Sequence, residues 1–273
     1  MSRKMLVLDI DGTLTNTKKE ITPKTLSAVL ACQEAGHVVV VASGRPTPGI
    51  DAVAKTLELN RYGGYVLSFN GARITNYATG EVVYQRMVDP SLLGELYAYS
   101  LENDLGMMTY DETSIITGTR IDSYMELEAK INGIQIHRVE NFTEYVDFPV
   151  NKCLLTKEAE LAQKHVRILQ NRYEECASIY RSEPFFIEIM AKGIDKAASL
   201  EQLRQLLHIE RENIIACGDG FNDLSMIRYA GMGVAMANAQ PEVKKEADYI
   251  TLSNDEDGVA KVVERFILNK KEQ

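Results

Sequence analysis

The stretch Met5–Leu14 reads MLVLDIDGTL, an apolar run followed by two acids and a glycine. Its first four residues are all apolar, which is the pattern of a parallel strand buried on both faces. Asp9 and Asp11 follow, and Gly12 permits a sharp turn that brings both carboxylates to the end of the strand. Because ligand sites of open α/β sheets form at the carboxyl ends of strands, this turn is predicted to carry a site.

Other apolar runs end in polar turns of the same kind. Val38–Val41 leads into Ser43-Gly44, and Ile214–Cys217 leads into Gly218-Asp219. Further predicted strands are Tyr65–Phe69 and Met232–Ala235, and the predicted helices around them are Pro23–Ala35, Lys196–Leu207 and Leu224–Ala230. Strands that alternate with helices predict an α/β protein with a doubly wound parallel sheet.

The middle of the chain has a different pattern. Its apolar runs are shorter and are mixed with hairpin turns, and amphipathic helices are predicted over 91–103 and 158–173. We therefore predict a catalytic core formed by residues 1–83 and 190–273, with an α+β domain over 84–189 inserted into it.

Composition and charge restrict the class of protein. The 273 residues are 45% hydrophobic and carry a net charge of −9, which is typical of a globular protein that binds neither nucleic acid nor anionic membranes. The longest apolar run, Val38–Ala42, is far too short for a membrane helix. The four cysteines are scattered, and Met1–Lys4 does not resemble a signal peptide, so a cytoplasmic protein is expected.

The polar turns carry residues suited to phosphate and metal chemistry. Carboxylates of Asp9, Asp11 and Asp219 offer the hard oxygen ligands that Mg²⁺ prefers. Ser43 and Gly44 could bind an anion with a hydroxyl and backbone N–H groups. Each of these turns could also be an ordinary connection, but their meeting at one edge of a sheet predicts an active site.

A lysine at the start of a helix is the fourth feature. Asp195 is a predicted N-cap, which puts Lys196 in the first helical turn, where a cation opposes the helix dipole. A bound phosphate would supply the anionic partner that this position needs. Lys192 is the competing candidate.

These residues resemble the four motifs of the haloacid dehalogenase (HAD) superfamily. Asp9-x-Asp11-Gly12-Thr13, Ser43, Lys196 and Gly218-Asp219-x-x-Asn222-Asp223 match the motifs in order. The stretches 42–45, 69–72, 192–196, 220–223 and 234–239 are similar to Cof-type phosphatases of subfamily IIB. This resemblance implies a Rossmann-like core with an inserted α+β cap of the C2B type, which closes over the site and selects the substrate.

The resemblance also implies roles for individual residues. Asp9 is the expected nucleophile, and Asp11 the general acid and base. Asp9, Asp11 (through its backbone carbonyl), Asp219 and Asp223 are expected to hold or support Mg²⁺. The residues expected to bind the phosphoryl oxygens are Ile10, Ser43, Gly44, Lys196 and Asn222.

The expected activity is hydrolysis of a small phosphorylated metabolite, such as a sugar phosphate, by a phosphoric monoester hydrolase that forms an aspartyl-phosphate. A phosphomutase using the same intermediate and a regulatory protein that binds a phosphometabolite without turnover are the alternatives. The sequence determines neither the particular metabolite nor the oligomeric state.

Overall fold

A computed structural model of the protein describes residues 2–269. The contacts between residues divide the chain into two compact units. The core unit comprises the residues up to Gly44, Ile50–Tyr84 and the residues from Asp195 onward, and the inserted unit comprises Arg45–Gly49 and Gln85–Ile194. Residues 1 and 270–273 of the predicted core lie outside the described residues.

These boundaries differ from the predicted ones at residue 84, at 190–194 and at the segment Arg45–Gly49. Gly49 explains the last difference, because a Cβ added there would lie 3.0 Å from Cγ of Asn132 in the inserted unit. The segment therefore packs with residues that follow it by more than 80 positions, which no local pattern reveals.

The strands are given in chain order: β1 Met5–Leu8, β2 Val38–Ala42, β3 Tyr65–Ser68, β4 Arg73–Asn76, β5 Val82–Gln85, β6 Gly106–Tyr110, β7 Ser114–Thr117, β8 Gln135–Arg138, β9 Lys152–Thr156, β10 Ala177–Glu183, β11 Phe186–Ala191, β12 Ile214–Gly218, β13 Met232–Ala235 and β14 Tyr249–Ile250.

The α-helices follow the same order: α1 Pro23–Glu34, α2 Asp51–Thr56, α3 Leu59–Tyr62, α4 Pro90–Glu102, α5 Ser123–Asn132, α6 Phe142–Tyr145, α7 Ala159–Tyr173, α8 Lys196–Leu207, α9 Leu224–Tyr229, α10 Pro241–Glu246 and α11 Gly258–Phe266.

The first sheet has the strand order β14-β13-β12-β1-β2-β3-β4-β5. The strands from β14 to β3 are parallel, and β4 runs antiparallel to β3. From β1 the chain continues through β2 and β3 on one side, while β12 to β14 lie on the other side. The predicted doubly wound α/β sheet is thereby confirmed, and its order reverses between β1 and β12.

Both faces of this sheet are covered, as the continuous apolar strands predict. In β1, Leu6 and Leu8 belong to a core with residues of α1 and α11, whereas Met5 and Val7 belong to a core with residues of α8. Alternate side chains of one strand thus enter two separate cores.

Local sequence explains where the helices around the sheet begin. The N-cap of α1 is Thr22, whose hydroxyl accepts a hydrogen bond from Thr25 N, and Pro23 takes the first helical position. The N-cap of α8 is Asp195, whose carboxylate accepts from Ala198 N at 2.7 Å. The prediction that Lys196 opens a helix ending at Leu207 is confirmed.

The inserted unit contains a second sheet, with the order β10-β11-β9-β6-β7-β8. Its pairs are antiparallel except β7 with β8. Helices α4, α6 and α7 supply Leu96, Phe142 and Leu169 to a core of its own. A separate hydrophobic core is what an independently stable unit requires.

Charged and polar side chains are also buried in the inserted unit. Lys152 Nζ lies 3.4 Å from Glu188 Oε1, and both side chains are less than one tenth exposed. Tyr180 donates a hydrogen bond to Glu188 Oε2 at 3.0 Å, and the Lys152 ammonium lies 5.4 Å from the centre of the Tyr110 ring. Burial of charges at this level requires such pairing.

The helices within residues 2–269 are short, and the longest is α7 with 15 residues. None of these helices is both long and apolar enough to cross a membrane.

The core of the inserted unit predicts a large effect of one leucine. Leu96 is fully buried in α4, whereas Leu101 on the same helix is 56% exposed. We expect Leu96→Ala to lower the free energy of unfolding by about 2–5 kcal/mol and Leu101→Ala to change it by less than about 0.5 kcal/mol. Denaturant unfolding of the two variants checks this, and equal effects would contradict the described core.

Candidate active site

The candidate site lies where the strand order of the core sheet reverses. Leu8 of β1 pairs with Cys217 of β12, so the turns that follow the two strands lie side by side. Asp9 N donates a hydrogen bond to the Cys217 carbonyl at 3.1 Å. Asp9 and Asp219, which are 210 positions apart, are brought together by this register.

The chain folds tightly after β1. The carbonyl of Ile10 accepts hydrogen bonds from Thr15 N at 3.0 Å and from Thr15 Oγ1 at 2.9 Å. Gly12 has a φ of +84°, a conformation that costs other residues about 1–2 kcal/mol. The predicted sharp turn at Gly12 is therefore present.

Three carboxylates converge at this place. One oxygen each of Asp9, Asp219 and Asp223 lies within 4.8 Å of the others, and Asp9 and Asp223 are buried. The Asp11 carboxylate lies outside this group. It is 38% exposed, and its Oδ1 lies 2.8 Å from Nζ of Lys19.

Lys196 is buried among these acids. Its Nζ donates to Asp9 Oδ1 at 2.8 Å, to Asp223 Oδ1 at 2.6 Å and to the Ala42 carbonyl at 3.0 Å. An ammonium group has three donors, and these bonds use all of them. The anionic partners of Lys196 in this structure are thus carboxylates, whereas the sequence suggested a phosphate.

The second carboxylate oxygen of Asp223 binds the backbone of the neighbouring turn. Asp223 Oδ2 accepts hydrogen bonds from Asp219 N and Gly220 N, both at 3.0 Å. Asp223 therefore links the ammonium of Lys196 to the turn that carries Asp219. Asp223 takes the N-cap position of α9, but its side chain makes no cap bond to that helix.

Asp219 packs directly on the turn after β1. Thr13 Oγ1 donates a hydrogen bond to Asp219 Oδ1 at 3.0 Å. A Cβ at Gly12 would lie 2.8 Å from Cγ of Asp219, so only glycine leaves room for the carboxylate. The distance between the two acid-bearing turns is set by these contacts.

Burial and mutual repulsion alter the ionisation of the acids. Burial and the neighbouring Asp223 raise the pKa of Asp9 to about 8, although Lys196 opposes the shift. Burial and Asp223 raise the pKa of Asp219 to about 6, against the opposing hydrogen bond from Thr13. Burial alone would lower the pKa of Lys196, but the carboxylates of Asp223 and Asp9 raise it.

The predicted phosphate-binding residues occupy the adjoining turns. Ser43 follows β2, and its backbone N–H bonds the Leu67 carbonyl. The amide of Asn222 donates to Asn70 Oδ1 at 3.2 Å, and Asn70 N donates to the Ser43 carbonyl at 3.0 Å. The turns after β2, β3 and β12 are thereby joined to one another.

Other candidates from the sequence lie as follows. The side chain of Ile10 is fully buried, and Gly44 lies against the side chain of Asn70. Lys192 is exposed and belongs to the inserted unit, so Lys196 is the lysine that meets Asp9. Arg45, which follows the Ser43-Gly44 turn, also belongs to the inserted unit, and its guanidinium donates to the Gly49 carbonyl at 3.3 Å.

Sequence reasoning missed the parts played by Thr13 and Asn70. Thr13 follows the acidic motif directly, and its hydroxyl is a natural donor to a nearby carboxylate. Asn70 has a left-handed backbone, with φ of 52°, and stands before Gly71 at the end of a strand. An Asn-Gly pair after a buried strand is the sequence feature that would have indicated this turn.

The donor set fits a hard divalent cation. Three carboxylates face one ammonium group, so the ionised cluster carries more negative than positive charge. A cation such as Mg²⁺ would relieve the repulsion that raises the pKa of Asp9 and Asp219. The carboxylates of Asp9 and Asp219 are the groups that could hold this cation.

The raised pKa values predict an unusual pH dependence of the metal-free protein. As the pH rises from about 4 towards 8, the unfolded chain loses the proton of Asp9 before the folded protein does. The folded state binds more protons in this window, so its free energy of unfolding should fall as the pH rises. Denaturant unfolding with chelator between pH 5 and 8.5 measures this decrease.

The matched control for this experiment is Asp9→Asn, which removes the titrating group. The free energy of unfolding of wild type should fall relative to that of the variant as the pH rises. Mg²⁺ should restore the stability of the wild type at pH 8. Identical pH profiles for the two proteins would show that Asp9 is not the group responsible.

Gly12 and Gly36 form a matched pair for a second experiment. Both have φ of +84°, but a Cβ at Gly36 would meet nothing within 4 Å. We expect both alanine variants to lose about 1–2 kcal/mol of stability. Only Gly12→Ala should also lose the rise in melting temperature caused by Mg²⁺, because its Cβ displaces the Asp219 carboxylate. Equal Mg²⁺ responses would contradict this geometry.

Known proteins resemble this chain over nearly its whole length. The family model of haloacid dehalogenase-like hydrolases matches residues 6–263. A Bacillus subtilis protein named "Putative phosphatase YxeH" is 34% identical over 268 residues, which cover 98% of this chain and 99% of the relative.

Solved structures agree. A haloacid dehalogenase-like hydrolase from Bacteroides thetaiotaomicron has a TM-score of 0.94 at 44% identity, covering 97% of this chain and 100% of that chain. The subclass IIB sugar phosphatase BT4131 has a TM-score of 0.79 at 26% identity, covering 96% and 98%. With its acidic turns and buried lysine at the sheet edge, the chain belongs to the haloacid dehalogenase-like hydrolases and is one of their phosphatases, a phosphoric monoester hydrolase.

Proposed function

We propose that the protein is a Mg²⁺-dependent phosphatase that hydrolyses a small phosphorylated metabolite, such as a sugar phosphate, through a phosphorylated Asp9. One observation carries the proposal. The buried carboxylate of Asp9 stands at the carboxyl end of β1, 2.8 Å from the ammonium of Lys196 and within the group of three acids.

Positive charge is needed before Asp9 can attack a phosphate. Carboxylate and phosphate are both negative, so they repel each other unless cations lie between or beside them. Lys196 supplies one positive charge. The Asp9 and Asp219 carboxylates and the backbone carbonyl of Asp11 would hold Mg²⁺, and Asp223 would support them through the Asp219 turn. When bound, the cation supplies charge neutralisation for the nucleophile and the phosphoryl oxygens.

In the first step, a carboxylate oxygen of Asp9 forms a bond to phosphorus while the bond from phosphorus to the ester oxygen breaks. The proton of the Asp11 carboxyl group passes to the leaving oxygen, which departs as an alcohol. Asp9 then carries the phosphoryl group, and Asp11 is a carboxylate.

In the second step, the Asp11 carboxylate takes a proton from a water molecule whose oxygen attacks phosphorus. The bond from phosphorus to Asp9 breaks, inorganic phosphate leaves, and both acids return to their starting forms. The net reaction consumes one ester and one water, and yields one alcohol and one phosphate.

The pair of Asp11 with Lys19 must open for Asp11 to act. Lys19 is 65% exposed and Asp11 38% exposed, and an ion pair in such surroundings contributes about 0–1 kcal/mol. A rearrangement of Asp11 towards the leaving oxygen therefore costs little. The pair describes the ionised resting form of Asp11, which takes up a proton from solvent when it leaves Lys19 and so becomes the acid of the first step.

We propose that the phosphoryl oxygens are bound by Ser43, Asn222 and Lys196, together with backbone N–H groups of Ile10 and Gly44. Lys196 already uses its three donors within the protein, so a bound phosphate would either replace one of these bonds or be stabilised by the charge alone. Removing one such electrostatic group costs about 2.7–4 kcal/mol in other enzymes.

We propose that the inserted residues 84–189 select the substrate. The sugar phosphatase among the structural neighbours supports sugar phosphates as the first class to test. Small phosphomonoesters of other metabolites belong in the same assay, as do substrates whose isomerised product would reveal a phosphomutase.

Asp9→Asn tests the proposal. With Mg²⁺ and a panel of phosphorylated sugars, nucleotides and vitamins, wild type should release phosphate. We expect Asp9→Asn to lower kcat by more than about 10³-fold, because a lost nucleophile costs more than one lost electrostatic group. Chelator should abolish the wild-type activity.

The control variant is Asp89→Asn in the N-cap of α4, where Asn caps as well as Asp, and its activity should equal that of wild type. Full activity of Asp9→Asn would exclude Asp9 as the nucleophile. Absence of phosphate from all substrates, with an isomerised product instead, would favour the phosphomutase.

A further inference from the structure

The segment after β13 bonds to both acid-bearing turns of the site. Gln240 N donates to the Asp219 carbonyl at 3.0 Å. The amide nitrogen of Asn238 donates to the Gly12 carbonyl at 2.8 Å. Residues 238–240 thus contact the turn after β1 and the turn after β12, which carry different acids of the site.

A second asparagine holds Asn238 in place. Asn254 N donates to Asn238 Oδ1 at 3.0 Å, and its side-chain amide donates to the Thr15 carbonyl at 2.9 Å. Asn254 is 7% exposed, whereas Asn238 is exposed. The pair therefore fixes the turn after β1 at two carbonyls, Gly12 and Thr15.

The Gly12 carbonyl, which accepts the hydrogen bond from Asn238, lies next to the reactive groups. Gly12 is joined to Asp11 by a peptide bond, and its own carbonyl begins the peptide to Thr13, whose hydroxyl binds Asp219. The Gly12–Thr13 peptide lies between these two groups, so a rotation of it would alter the path of the chain from the Asp11 carbonyl to the Thr13 hydroxyl. The hydrogen bond from Asn238 opposes that rotation.

We propose that Asn238 is a positioning residue that fixes the Gly12 peptide, and thereby the spacing between the Asp11 carbonyl and the Asp219 carboxylate. The inference rests on the proposed function, because these two groups matter as ligands of Mg²⁺. Asn238 acts through the turn and touches no reacting atom. The Val234–Ala239 stretch is in this way connected to the chemistry of the site.

Asn238 lies at the surface, so its role in the turn can be tested without disturbing the hydrophobic core. Its side chain is exposed, and a single hydrogen bond of this kind contributes about 0.5–1.5 kcal/mol to stability. Loss of groups that orient metal ligands lowers metal affinity by about 10–100-fold. Removal of the side chain should therefore affect Mg²⁺ binding far more than folding.

Asn238→Asp is the informative variant. It keeps the oxygen that accepts from Asn254 N but removes the donor to the Gly12 carbonyl. The control is Asn76→Ala, which removes a side chain bonded to the backbone N–H groups of Ala78 and Thr79 elsewhere in the core unit. Calorimetric titration of each metal-free protein with Mg²⁺ gives the dissociation constant without reference to activity.

We expect the Mg²⁺ dissociation constant of Asn238→Asp to rise at least about tenfold, while Asn76→Ala matches wild type. With Mg²⁺ near its wild-type dissociation constant, kcat should fall, and excess Mg²⁺ should restore it without a change in KM. The melting temperature in chelator should stay close to that of wild type.

Unchanged Mg²⁺ affinity in Asn238→Asp would overturn the role of Asn238. A weakened affinity accompanied by an equally large loss of melting temperature in chelator would do the same, since a general loss of structure would then explain it. If wild type itself bound no Mg²⁺, the proposed function would fail instead, so the two failures are distinguishable.

Discussion

The ammonium group of Lys196 lies between the carboxylates of Asp9 and Asp223, at 2.8 and 2.6 Å from their nearest oxygens. A charge buried this deeply is stable only when it is paired and hydrogen-bonded. The pairing requires α8 to begin at Lys196, and β1 and β12 to end at the same edge. The ion pairs therefore depend on the sheet order, and loss of Lys196 would leave the buried carboxylates of Asp9 and Asp223 without a cation.

The same arrangement leaves the site with more negative than positive charge. Asp223 gives one oxygen to Lys196 and the other to the amides of Asp219 and Gly220, so it orients the neighbouring acid. Burial raises the pKa values of Asp9 and Asp219, and repulsion by Asp223 adds to the shift because one ammonium cannot neutralise three carboxylates. A divalent cation would complete the balance of charge.

Contacts around the turns determine how accurately the acids are held. Gly12 leaves space for Asp219, Thr13 bonds its carboxylate, and Asn238 binds the Gly12 carbonyl. Asn70 connects the turns that carry Ser43 and Asn222 in a similar way. These residues perform no chemistry in the proposed reaction, yet they set the distances on which that reaction depends.

Local sequence features are enough to predict the parallel strands, the helix that begins at Lys196, and the turns that carry the acids. Continuous apolar runs, Asp195 as a cap and glycine after the second acid are local features, and each acts within a few residues. Three further features depend on tertiary contacts. Asp11 pairs with Lys19, carboxylates serve as the partners of Lys196, and Arg45–Gly49 packs with the inserted unit. Such contacts join residues as far apart as Asn238 and Gly12, and they follow from strand order and register, which hydrophobic periodicity does not encode.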